Sequence, residues 1–240
     1  MTVDFHRLSD IVEHRARVSP DQLAFRYLPD GTISGAEQLR SYAELFDRTS
    51  RLAWVLTQVA TRGERVLLLL PPGLGFIDCF LACERAGLVV VPVPPVEPKL
   101  ARRYAPRLQQ IFADAKPNVV VASPGQTRAL RGLINVTDEV KWIAPEPGEQ
   151  RLESPVNRQA RDPLVIQYTS GSTSKPKGVV LSSSAIMANL AQIDAGFPHE
   201  PRAHHISWLP QFHDFGLFWA TLSPLYSGHP CSFFPPMAFI

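Results

Sequence analysis

The sequence predicts an α/β fold built on a mostly parallel sheet flanked by helices, and three observations predict it. Short, nearly continuous apolar runs such as Arg65–Leu70 and Leu88–Val93 read as strands covered on both faces, the pattern of a parallel sheet. Longer stretches with apolar residues at helical spacing separate them, so strand, helix and strand alternate. Proline and glycine punctuate the junctions, as at Pro71-Pro72-Gly73 and at Pro92, Pro94, Pro95 and Pro98.

Taken in order, Phe5–Ser19 carries Leu8, Ile11, Val12 and Val18 at helical spacing and is stopped by Pro20. Leu23–Leu28 reads as a strand, turned by Pro29-Asp30-Gly31. Ser41-Tyr42-Ala43-Glu44 is a capping box that opens a helix to about Val59, with Leu45, Leu52, Val55, Leu56 and Val59 as its core stripe. After the strand at Arg65–Leu70, Phe76–Arg85 is helical and Gly87 suits its C-terminal cap. Leu88–Val93 is the next buried strand. Arg102–Ala115 (helix), Asn118–Ala122 (strand), Gln126–Ile134 (weak helix) and Val140–Ile143 (strand) continue the alternation, and right-handed crossovers are the economical way to join it. Pro145–Arg161 is polar, rich in Pro and Glu, and lacks periodicity, so it reads as a linker or long surface loop. Beyond it, Ser183–Ala195 and Gly216–Tyr226 read as helices, and His205–Leu209 and Cys231–Phe234 as strands. The chain therefore divides into a first α/β portion over about 1–144, the polar segment 145–161 and a portion over 162–240.

The 240 residues suffice for one large or two small domains, and 45% hydrophobic residues are ample for a core. A net charge of +2, with scattered basic residues, argues against a nucleic-acid partner. Cys79, Cys83 and Cys231 are too few for a disulfide framework, and the helical spacing of Cys79 and Cys83 fits core packing better than a metal site. The N-terminus lacks an apolar signal segment and no run reaches the length of a membrane span, so a reducing cytoplasm is the expected location.

One stretch organises the chain: Tyr168-Thr169-Ser170-Gly171-Ser172-Thr173-Ser174-Lys175-Pro176-Lys177-Gly178. Apolar runs flank it, while the stretch itself offers hydroxyls, glycines and ammonium groups. Backbone N–H groups in such a loop form a nest for phosphate oxygens, and the hydroxyls and lysines add donors. A polar turn between two strands is the plainer alternative. Two features speak against it: more hydroxyls than a turn needs, and Pro176 stiffening the chain between two lysines. It is not a Walker A loop, because Val179 follows Gly178. A second stretch, Ser207-Trp208-Leu209-Pro210-Gln211-Phe212-His213-Asp214-Phe215-Gly216-Leu217, places His213-Asp214 in the turn between a strand and an apolar helix. Loops at the carboxyl ends of parallel strands are where ligands sit, although on its own His213 also fits a hydrogen-bonded loop histidine.

The first stretch resembles the phosphate-binding signature of the adenylate-forming superfamily, meeting nine of the ten positions that carry a residue preference. The second stretch, with Pro224-Leu225-Tyr226 and Gly228, resembles the fatty acyl-AMP ligase branch. So do Arg65–Gly73 with Phe76, Phe80, Cys83, Ala86-Gly87 and Val91-Pro92, and the segment Phe234–Ile240. The resemblance implies the N-terminal portion of the adenylate-forming enzyme fold. It also implies activation of a fatty acid with ATP and Mg²⁺ to an acyl-adenylate, and transfer to the phosphopantetheine thiol of an acyl carrier protein.

By the same resemblance, Thr169, Ser170, Gly171, Ser172 and Thr173 hold the β- and γ-phosphates and Lys177 adds charge. Lys177 and His213 are the catalytic candidates, and His213 lies near the reacting carboxylate. Phe212, Asp214, Phe215 and Trp219 are candidates for the acyl site, with core packing an equal alternative for the aromatics. No metal site on the protein itself is expected, since magnesium arrives with ATP near Thr169. Ser174 departs from a frequent glycine, Ser183 and Ala185 from a frequent His and Asn, and Phe212 from a common Tyr. The adenine-binding segment, the ribose-binding aspartate, the hinge and the C-terminal domain with its lysine would lie beyond Ile240. The resemblance thus implies an N-terminal piece, inactive alone. An acyl-CoA synthetase and a non-catalytic acyl- or nucleotide-binding remnant are the competing readings.

Overall fold

The structure is a computed structural model and describes residues 5–135, 137, 139–169, 176–197, 200 and 202–239. The chain runs through α1 (Leu8–Val18), β1 (Leu23–Tyr27), β2 (Gln38–Ser41), α2 (Tyr42–Thr57), β3 (Arg65–Leu69), α3 (Leu74–Arg85) and β4 (Val89–Pro92). A short 3₁₀ turn, Pro98–Leu100, leads into α4 (Ala101–Ala115), and β5 (Val119–Ala122), α5 (Pro124–Leu130) and β6 (Lys141–Ile143) follow. The last third holds β7 (Pro163–Thr169), β8 (Lys177–Ser182), α6 (Ser183–Gly196), β9 (His205–Ser207), a π-helical segment Phe215–Leu222, α7 (Ser223–Ser227) and β10 (Cys231–Phe233).

Six strands form one sheet in the order β6-β5-β3-β4-β7-β8, parallel except for β8, which runs antiparallel to β7 at the edge. Alternation along each central strand divides its side chains between two layers. Val66, Leu68, Val90, Val119 and Val121 face α1, α2 and α3 in one core. Leu67, Leu69, Val89, Val91, Val120 and Ala122 face Ala105, Leu108, Ile111 and Phe112 of α4 in the other. Both faces being covered explains why these strands read as unbroken apolar runs.

A second, four-stranded sheet has the order β2-β1-β10-β9. The simple alternation did not anticipate it. β1 lies parallel to β10, with Phe25 opposite Cys231, and so leaves the main sheet altogether. β2 has no apolar pattern because it is a largely exposed edge strand, held by antiparallel pairing with β1.

Local signals placed most helices, though the weak helix expected over Gln126–Ile134 runs instead over Pro124–Leu130. Ser41 and Glu44 form the expected reciprocal cap of α2, and Ser123 with Gln126 caps α5 in the same way. The helix expected over Gly216–Tyr226 instead winds as π-turns to Leu222 and only then as α7. Thr221 Oγ1 donates to the carbonyl of Gly216, five residues back, at 2.9 Å, within that wider turn. Residues 145–161 are irregular and lie along α2 and α3, with Leu152 N–H on the Ser50 carbonyl at 2.9 Å and Val156 N–H on the Arg85 carbonyl at 2.8 Å. Cys79 and Cys83 are buried in the core packing of α3. No helix among the described residues is long and apolar enough to cross a membrane.

Candidate active site at the carboxyl edge of the main sheet

The end of β7 and the start of β8 form a hairpin whose loop is the phosphate-loop candidate. Ser170, Gly171, Ser172 and Thr173 lie outside the described residues. The two residues that flank the loop are described: Thr169 and Lys177 are cross-strand partners, both exposed. Partners in this register present their side chains on one face. That face continues back along the hairpin as Gln167 opposite Val179 and Val165 opposite Leu181. Lys177 therefore shares a face with Thr169 and Gln167.

The opposite face is built differently. Tyr168 lies opposite Gly178, and its hydroxyl donates to the Asp114 carboxylate on α4. Burial, and then the neighbouring Asp114 carboxylate, raise the phenol above its ordinary range.

The turn with His213 approaches Gln167 from the side. Gln167 Nε2 donates to the carbonyl of Phe212 at 2.8 Å. Gln211, almost wholly buried, accepts the Gly73 N–H at 2.8 Å and so ties the same turn to the junction after β3. Gly216 is required here, because a Cβ on it would stand 2.1 Å from the carbonyl oxygen of Pro210. His213 Nδ1 lies 2.5 Å from Asp214 Oδ1, and both side chains are mostly exposed. Asp214 also accepts the Phe215 N–H at 2.7 Å, at the start of the π-helical segment.

Two clefts open on either side of Gln167, Thr169 and Asp214. One, of about 370 Å³, is mainly apolar, with Val179, Leu181, Ala185, Ile186 and Phe218 among its lining residues. The other, of about 390 Å³, is bounded by Pro92, Pro94, Arg107, Tyr168, Phe212 and His213. The structure thus gathers Thr169, Phe212, His213 and Asp214 at one place, with Lys177 on the adjoining strand end. Phe215 instead stacks on Trp219 at the surface, and Trp219 meets Phe197 edge-on at 4.6 Å. Sequence reasoning missed Gln167, Arg107, Asn189 and Phe218. Gln167 carried a usable signal, being a lone amide in the apolar strand Leu164–Ile166 just before the loop. Arg107 carried none, because nothing local distinguishes it from the other arginines of α4.

In a mostly parallel α/β sheet, a hairpin flanked by Thr169 and Lys177 and a histidine turn at the carboxyl edge stand where such folds hold their ligands. The chain belongs to the AMP-binding enzyme family, whose sequence pattern it matches over residues 12–239. It is 33% identical over 245 residues to the medium-chain-fatty-acid–[acyl-carrier-protein] ligase JamA of Moorena producens, covering 98% of this chain and 41% of that protein. It is 28% identical over 264 residues to the putative fatty-acid–CoA ligase fadD25 of Mycobacterium tuberculosis, covering 100% of this chain and 43% of that protein. Among solved structures, the fatty acyl-adenylate ligase from L. pneumophila in complex with acyl adenylate and pyrophosphate is similar, with a TM-score of 0.84 and 31% identity, covering 98% of this chain and 41% of that one. The chain thus spans about two-fifths of the length of these relatives.

Proposed function

We propose that the protein containing this chain activates a fatty acid by adenylation and passes the acyl group to the phosphopantetheine thiol of an acyl carrier protein. The observation that carries this reading is the meeting of Thr169 and the His213-Asp214 turn around two clefts, one of them lined mainly by apolar side chains, with Lys177 across the hairpin from Thr169. In the first step a carboxylate oxygen attacks the α-phosphorus of ATP. The new P–O bond forms as the bond from the α-phosphorus to its bridging oxygen breaks, and pyrophosphate leaves with the electron pair. In the second step the thiol sulfur bonds to the acyl carbon, AMP leaves, and the thiol proton is released.

Both reactants of the first step are anions, so the chain's task is to screen charge and hold geometry. Lys177, beside Thr169 at the mouth of the hairpin, supplies positive charge where the β- and γ-phosphates would lie. Thr169, with Ser170, Gly171, Ser172 and Thr173, contributes hydroxyl and backbone donors. His213, oriented by Asp214, faces the incoming carboxylate, Phe212 walls the second cleft, and Val179, Leu181, Ile186 and Phe218 give the first an apolar lining for an acyl chain. Phe215 reaches the acyl chain only from the surface side. Magnesium binds chiefly through phosphate and water. Thr169 offers one oxygen, and no group of three or more His, Cys, Asp or Glu side chains among the described residues forms a cage. That donor set fits a metal held by the nucleotide, which would neutralise phosphate charge there.

The names of the similar acyl-carrier-protein ligases support the acceptor, while fadD25 is named for coenzyme A. Full-length protein incubated with ATP, Mg²⁺ and a medium-chain fatty acid should release pyrophosphate and load a carrier protein in preference to free coenzyme A. Efficient acyl-CoA formation would place it with the CoA ligases, and no pyrophosphate release would make it a binding remnant.

A further inference from the structure

Gln167 sits where the two clefts meet, is only 6% exposed, and belongs to a strand whose preceding residues are apolar. Its Nε2 is spent on the Phe212 carbonyl, while its Oε1 has no partner among the described residues. Turning the amide over would set oxygen against the Phe212 oxygen, so the donor end is fixed in place. Burying an amide with one end unsatisfied costs stability, whereas an apolar side chain of similar volume would bury there without that cost. Local economy therefore does not explain a glutamine at this position.

The geometry points to Gln167 as a positioning residue that sets the distance between the phosphate hairpin and the His213 turn. The bond joins residues 45 apart in sequence. On one side it holds the strand that carries Thr169 directly into the loop. On the other it holds the peptide next to His213, whose own backbone is engaged through His213 N–H on the Pro210 carbonyl at 3.0 Å and Leu217 N–H on the His213 carbonyl at 2.8 Å. Gln211 braces the same turn from the opposite side, again with one amide end, Nε2, unpartnered among the described residues. The turn is thus held by two side-chain amides in addition to the packing of Phe212 against the core. A shift of the histidine relative to Thr169 and Lys177 follows directly if the Gln167 bond is lost. This role rests on the adenylation reading, in which His213 and the hairpin act on the two ends of one reaction.

The test is Gln167→Met in the full-length protein, which keeps the volume and removes the donor. Hydrogen exchange at the amides of His213 and Leu217 reads the tie without any chemistry. Pyrophosphate release with ATP and a medium-chain fatty acid reads its consequence. Exchange at both amides should rise, kcat should fall about tenfold to a hundredfold with a smaller change in the KM for ATP, and Tm should hold or rise. Unchanged exchange would overturn the proposal, as would faster exchange with full activity, or a Tm loss that accounts for the activity lost. Gln167→Leu repeats the test should the methionine variant fail to fold. A parent protein that releases no pyrophosphate would refute the adenylation reading, and the exchange data would still decide whether Gln167 holds the turn.

Discussion

Tyr168 and Gly178 face each other across the β7–β8 hairpin, and the aromatic ring occupies the space that a side chain on Gly178 would need. A Cβ there would stand 2.7 Å from Ile166 Cγ2 and 3.1 Å from Tyr168 Cζ. The ring in turn carries its hydroxyl to Asp114 on α4, so the face of the hairpin that borders the second cleft is anchored to the helix layer.

Gly178→Ala should therefore push Ile166 out of place and crowd Tyr168, weakening its bond to Asp114. Overpacking of this kind costs about 1–3 kcal/mol. Chemical denaturation of the variant beside the parent checks it, and Tyr168→Phe in the same background separates the lost hydroxyl bond from the clash.

Lys177 is exposed at the strand end, so its value should be kinetic. Lys177→Ala in the full-length protein should slow pyrophosphate release roughly a hundredfold. The same change should alter stability by no more than about 0.5 kcal/mol. A large drop in Tm with an unaltered rate per folded molecule would mark the lysine as structural.

His213→Ala should lower kcat while leaving Tm in place, since the side chain is mostly exposed. Asp214→Asn should do less harm, because the amide oxygen still accepts the Phe215 N–H and only the charge beside the imidazole is lost. Steady-state kinetics on both variants rank the two effects, and a greater loss for Asp214→Asn would reverse the roles.

Glu84 on α3 is buried and accepts the Ser9 N–H at the start of α1. Burial raises its carboxyl from 4.5 to about 7, against the opposing pull of Arg158 and of the hydrogen bonds from Ser9. The unfolded chain loses that proton at the lower value, so between the two the native state holds a proton that the unfolded state lacks. This group's contribution is thus most favourable below about pH 4.5, declines as pH rises to about 7 and stays flat above it. Glu84→Gln should remove the slope and be most stabilising above neutrality, by on the order of 3 kcal/mol. Denaturation curves at pH 5 and pH 8 check it, and a parallel pH dependence in parent and variant would exclude Glu84 as its source.

Much of this protein was legible in its residues. The buried strands at Val66–Leu69 and Val89–Val91 announced themselves by unbroken apolar runs, and Ser41 with Glu44 announced the start of α2. The phosphate-loop candidate and the His213 turn stood out because their chemistry is written in consecutive residues. β2 and the π-helical segment did not stand out. An exposed edge strand has no period of its own, and the wider turn fits the same apolar stretch as an α-helix.

The sequence by itself determined most of the strands and helices, the cap of α2 and the two chemical motifs, since each depends on residues within a turn or a strand of one another. Only the tertiary structure decided that β1 would pair with β10 in a second sheet, that Gln167 would reach Phe212, and that Gly216 would be pressed against the Pro210 carbonyl. The physical reason is range. Backbone hydrogen bonding and side-chain periodicity act over a few residues, whereas a strand's partner or a buried amide's acceptor is chosen by whichever surfaces the packed layers bring together, and neighbouring residues do not record that choice.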